Sequence, residues 1–315
     1  MSEVRFDRMV PAQIRARRDA CNLAYLPVGS LEWHGPHMPF GTDYMTVTFL
    51  AEQAAQRFGG IAFPPMFYGD VRYHLQESRL EWRKSYAREM DVPEAYSEAF
   101  PLQNADGSYG YACPTLPDDG PPAEEPLPFS LEDQSRFFVY LIAKTMLSIH
   151  LYGFRNILLL PGHGPNPEYC RQALEVYRQN VARRASWGEP ANAKSWFYIE
   201  AGYESEPLLK NHWIHADKWE GSFTMVAAPG TVHPEYLPEP GELVPAYLGH
   251  PYLTEDDGYN PEYESVWHSF DALDPRNGMS EEYGRPQTEH VLGKLGEIVA
   301  DFMTGGGRKQ DVQDR

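Results

Sequence analysis

Leu23-Ala24-Tyr25-Leu26-Pro27-Val28-Gly29-Ser30-Leu31-Glu32-Trp33-His34-Gly35-Pro36-His37-Met38-Pro39-Phe40-Gly41-Thr42-Asp43 is the stretch on which the reading of this chain turns. Its first six residues form the continuous apolar run of a buried strand. Gly29 and Gly35 bracket a turn at the carboxyl end, where open α/β sheets place their sites. Past the turn lie Glu32, His34, His37 and Asp43, four potential metal ligands close together. In an extended segment residues two apart point the same way, so Glu32 and His34 can converge on one point. Imidazole nitrogen combined with carboxylate oxygen suits zinc, manganese or iron.

Working outward, strand and helix patterns alternate, which predicts a mostly parallel sheet covered by helices on both faces. Thr46 to Phe58 reads as a helix and Ile61-Ala62-Phe63 as a short strand. Ser130 followed by acids resembles a helix start. Phe137, Phe138, Leu141, Ile142, Thr145, Met146 and Ile149 then recur at helical spacing and are expected in the core. Asn156-Ile157-Leu158-Leu159-Leu160 is the clearest central strand and delivers Gly162-His163-Gly164 to its carboxyl end, with a helix from Pro167 to Ala185. Gly-His-Gly could cradle an anion. Beside the cluster above, metal ligation by His163 is the better reading, the glycines leaving it room to turn.

Charge and cysteine usage narrow the classes of function. A formal net charge of −18 over 315 residues leaves no basic stripe for nucleic acid or an anionic membrane. No apolar run of signal-peptide or membrane-span length is evident, so a cytoplasmic protein acting on a small molecule is expected. Cys21, Cys113 and Cys170 are scattered, without a CxxC pair, and read as packing residues. Ser30 lacks the G-x-S-x-G elbow of a serine nucleophile. Residues 76–128, rich in Trp, Tyr, Pro and acids, interrupt the rhythm of strand and helix. They read as an insertion, a lid or a subunit arm, within a single domain spanning 1–315.

The blocks Gly29 to Asp43, Leu160-Pro161-Gly162-His163-Gly164-Pro165-Asn166, Pro64 to Gly69 with His74, and His215-Ala216-Asp217-Lys218-Trp219-Glu220-Gly221-Ser222 together resemble the creatininase (creatinine amidohydrolase) family in order and spacing. The resemblance implies a three-layer α/β/α sandwich and a metal-dependent hydrolase of a small cyclic or linear amide. It places Glu32, His34, Asp43 and His163 on metal ligands for one or two ions of zinc, manganese or iron, with Asp43 where a carboxylate bridges two ions. His215 falls on the catalytic His, shuttling a proton while metal-bound hydroxide attacks the carbonyl. Glu220 would orient it or complete the metal shell. Where creatininase itself carries a further Glu ligand, this chain has Pro165, and Glu220 or Glu168 could stand in. His37, Trp33, His74 and Trp213 are assigned to the substrate or to support of the ligands. Family members form closed oligomers, so a homo-oligomer, a hexamer, is expected. Other readings are a deformylase or peptide-trimming member, a metal-dependent lyase or isomerase of a sugar-like compound, and a non-catalytic metal-binding scaffold.

Overall fold

The computed structural model describes residues 3–32, 34, 37–68, 131–206, 216–237 and 273–304, with backbone alone at 131–135. The predicted segment 76–128 and the proposed cap Ser130 lie outside them. In chain order the elements are α1 (Pro11–Ala20), β1 (Ala24–Val28), α2 (Thr42–Arg57), β2 (Ile61–Ala62), α3 (Leu131–Leu151), β3 (Asn156–Pro161), α4 (Asn166–Ala182), β4 (Asn192–Ser195), α5 (Ile199–Ser205), α6 (Lys218–Ala227) and α7 (Glu281–Thr304). The four strands are all parallel, in the order β2-β1-β3-β4.

Alternation along the two central strands builds the three layers, because successive side chains of a strand point to opposite faces. Leu23, Tyr25, Leu158 and Leu160 join one core with Val47 and Leu50 of α2, Trp219 and Phe223 of α6, and Val291, Leu295 and Phe302 of α7. Ala24, Leu26, Val28, Ile157 and Leu159 join the other, with Ile142, Met146 and Ile149 of α3 and Cys170, Leu174 and Tyr177 of α4. Both central strands therefore bury apolar side chains on both faces. This is the three-layer α/β/α arrangement expected from the sequence. Phe137 and Leu141 depart from expectation: they are 56% and 52% exposed, since α3 turns only the Phe138, Ile142, Met146 and Ile149 stripe inward.

The helix after β1 begins at Thr42, a full turn before the predicted start, and this puts Asp43 in its first turn. Two glycines allow that seat. A Cβ on Gly29 would come within 2.5 Å of the Tyr44 backbone, and one on Gly162 would run into the Asp43 backbone carbonyl. Gly164, by contrast, would meet nothing within 4 Å, so clearance around His163 is not its role. Gly162 makes room for the helix instead. Gly162→Ala should cost about 1–3 kcal/mol of stability and displace Asp43, whereas Gly164→Ala should unfold like the parent. Thermal melts with metal analysis of both variants check this.

Candidate metal centre

The carboxyl ends of β1 and β3 lie side by side, and their exit loops are tied together. Gly162 N–H donates to the Val28 carbonyl at 2.8 Å, and the Asn166 side chain donates to the same carbonyl at 2.9 Å. Asn166 thereby anchors both the His163 loop and the start of α4. Onto this platform the structure brings Glu32, His34, Asp43 and His163 of the predicted set, together with Glu220 from the first turn of α6. Two overlapping groups result: Glu32, Asp43 and His163 form one, His34, Asp43 and Glu220 the other, each with its ligand atoms within 4.8 Å of one another. Asp43 belongs to both. Its Oδ2 faces His163 Nδ1 at 3.3 Å and its Oδ1 faces His34 Nε2 at 3.3 Å. Glu32 closes on His163 at 3.0 Å, and Glu220 on His34 at 3.7 Å.

Three of the five donors are each aimed by a partner. His34 Nδ1 lies 3.1 Å from the Glu32 backbone carbonyl, which can only accept, so the proton sits on Nδ1 and Nε2 is left as a ligand. Ser30 Oγ donates to Asp43 Oδ2 at 2.5 Å, the short contact of a hydroxyl on a carboxylate. Ser30 is a positioner of Asp43. Ala216, at φ 55° in the left-handed region, turns its N–H onto Glu220 Oε2 at 2.5 Å. Asp217 caps α6 by accepting from the Glu220 N–H at 2.9 Å. Burial and nearby Glu220 push the Asp217 carboxyl up to about 8.

The donor set passes a test of fit to a cation. Glu32, Asp43 and Glu220 crowd two imidazoles in a pocket where His34, Asp43, His163 and Glu220 are each no more than 3% exposed, and buried carboxylates demand compensating positive charge. Burial pulls the His163 imidazole down, but Glu32 and Asp43 outweigh it and push it up to about 10. Glu220 and Asp43 likewise lift His34 well above its usual range against its burial. Asp43, in spite of burial, is held below the ordinary carboxylate range by His34 and His163. Protons and a divalent ion are thus competitors for one pocket, and the oxygen and nitrogen donors suit zinc, manganese or iron.

The remaining predicted residues fall apart from this cluster. Burial and the nearby His34 pull the His37 imidazole down to about 3, which leaves it a neutral neighbour of His34. Glu168 is an exposed partner of Arg171 at 2.5 Å on α4 and takes no part. Trp33, His74, Trp213 and His215 lie outside the described residues. Sequence reasoning gave no role to Asp217, although an Asp three residues before Glu220 at a helix start is a capping signal. It also missed the positioning role of Ser30.

The family model described as creatininase, creatinine amidohydrolase, matches residues 7–81 and 93–298. The chain belongs to the creatininase family. Membership supports a metal-dependent hydrolase. The only break in the match falls inside the 76–128 segment. A solved creatinine amidohydrolase (creatininase) covers 96% of this chain and 98% of its own at 16% identity and a TM-score of 0.61. A manganese creatininase gives 95% and 98% coverage, 16% identity and 0.60. A mutant creatininase of the Zn-Zn type gives 96%, 98%, 16% and 0.59. At such identities these likenesses show the fold. A 3-dehydro-scyllo-inosose hydrolase of Thermotoga maritima is 45% identical over 71 residues, a stretch covering 22% of this chain and 23% of that protein.

Two expectations follow. Elemental analysis should find Asp43→Ala stripped of most metal and His37→Ala loaded, while Ser30→Ala should weaken metal affinity about 10–100-fold as an aiming partner is lost. The second concerns pH. In chelator-treated protein a folded His163 value near 10, against 6.5 for a free imidazole, gives stabilisation that is full below about 6.5 and lost as pH rises toward 10. Metal affinity should run the opposite way, rising with pH. Melting temperatures of chelated protein and metal titrations over pH 6 to 10, an interval of about four units, check both slopes.

Proposed function

We propose that this creatininase-family chain hydrolyses a carbonyl compound of small, polyhydroxylated ring type, with a pair of divalent ions held between Glu32, Asp43 and His163 on one side and His34, Asp43 and Glu220 on the other. What supports two ions is the placement of Asp43, one oxygen toward each group. Glu220 then takes the part that Pro165 leaves open. The sugar-like substrate class is supported by the 45% identical stretch shared with 3-dehydro-scyllo-inosose hydrolase. Manganese and zinc are the ions named for the solved creatininases and both suit these donors.

When bound, a divalent ion lowers the pKa of a water and polarises a carbonyl. The chain's own residues supply direction and protons. Asp43, locked by Ser30, would orient the attacking water, whose proton His215 would carry to the departing atom. His34 is held in one tautomer by the Glu32 carbonyl and keeps the neighbouring carboxylates apart. His215 is adjacent in sequence to Ala216, whose N–H grips Glu220, and it serves as the acid that protonates the departing atom. That atom is carbon in a ring 1,3-diketone and nitrogen in an amide. The second reading, hydrolysis of a cyclic amide such as creatinine, is favoured by the family model itself.

A panel containing a polyhydroxylated cyclohexane-1,3-dione and creatinine, followed by product NMR, separates the two readings. The diketone should exceed creatinine in kcat/KM by at least about tenfold, or 1.4 kcal/mol. Preference for creatinine by the same margin would establish the amide reading. Activity that survives Asp43→Asn would sink both.

A further inference from the structure

On the outer face of the helical layer, away from the metal centre, α3 and α4 leave between them an open cavity of about 540 Å³. Its lining includes Tyr140, Lys144, Asn180, Arg183, Arg184 and Trp187 and contains no carboxylate. In a chain of net charge −18 that is an inversion of the prevailing sign. Among the described residues no acid pairs with Lys144, Arg183 or Arg184 within the cavity. The three cations line one cavity with no carboxylate among its walls, an arrangement that favours an anion over a further cation.

The aromatic wall is firmly built. Trp187 ends the short turn Ala185–Trp187, and its carbonyl accepts from Nε2 of the buried His150 at 2.9 Å. His150 Nδ1 in turn accepts from the Tyr177 hydroxyl at 2.9 Å, and that hydroxyl oxygen accepts from the Ala191 N–H at 2.8 Å. This buried relay ties Trp187 and Ala191 to α3 and α4, so the Trp187 backbone is held in place. The Arg184 guanidinium lies 4.7 Å from its ring centre, a cation–π contact that presents a flat cationic surface. Tyr140, half exposed on α3, offers a second ring.

We propose that this cavity is a second binding site, separate from the metal centre, for a planar ring carrying a phosphate or carboxylate. The ring rests against Tyr140 and the Arg184–Trp187 stack, and Lys144 and Arg183 take the anionic group. Charge complementarity together with rigid aromatic area selects such a ligand over a neutral ring or a bare anion.

The test is calorimetric titration of metal-loaded full-length protein with adenosine 5′-monophosphate, with adenosine and inorganic phosphate as the separate halves. Saturable binding below about 1 mM, or about −4 kcal/mol, is expected for the monophosphate and should weaken as salt rises. Each half should bind at least about tenfold more weakly. Lys144→Glu with Arg183→Glu, both at exposed positions, should lower affinity at least about tenfold, and Trp187→Ala should do so independently. Asp43→Asn should leave it unchanged. Absence of binding, indifference to the charge reversals, or loss in Asp43→Asn would overturn the proposal. A change in particle mass on charge reversal without nucleotide would overturn it too, by showing that a second copy of the chain covers this face.

Discussion

Three carboxylates cannot share a buried pocket unless positive charge stands between them, and much of this structure serves that requirement. Glu32, Asp43 and Glu220 are interleaved with His34 and His163, and each imidazole touches two or more carboxylates. Asp43 is the common member, so its place is the tightest constraint. It is met by seating the first turn of α2 against Gly29 and Gly162, by the Ser30 hydroxyl, and by parallel pairing of β1 with β3, which sets their exits side by side. Small residues and a hydroxyl in the exit loops are thus as necessary to the site as the donors.

How much of this was legible in the sequence differs from element to element. The continuous apolar runs of β1 and β3 were readable because strands buried on both faces need no alternation, and the donors behind β1 stood out by density. β4, Asn-Ala-Lys-Ser, is an edge strand whose polar residues carry no such signal, and it passed unread. The early start of α2 was hidden because Gly41 caps it without a side-chain hydrogen bond, so no capping residue announces it. α7 contains Pro286 and three internal glycines, which obscure a helix whose stability comes from packing Val291, Leu295 and Phe302 on α2 and α6. For Glu220 the sequence left two roles open, orienting His215 or completing the metal shell. Only three-dimensional placement brings its Oε1 to His34.

Similarity of fold at 16% identity to the solved creatininases fits the same division. Core residues on the two faces of the sheet need only be apolar and of suitable size, so the fold does not require particular identities there. The exit loops and helix starts are pinned by backbone approach and by ligand geometry. This is where the blocks that carried the resemblance lie.

The donors come from four separate places: the loop after β1, the first turn of α2, the loop after β3 and the first turn of α6. No hairpin or single strand–helix unit contains a complete group. Glu32 and His163 meet only after β3 has paired with β1 across the long intervening chain, and Glu220 joins only when α6 docks. Such distant closures are slow steps in folding. A nascent or partly folded chain therefore presents scattered carboxylates in water, with no cage, and an ion would be acquired last. An ion would then meet a preformed set of donors, carried by the exits of a sheet whose two apolar cores lie on either face.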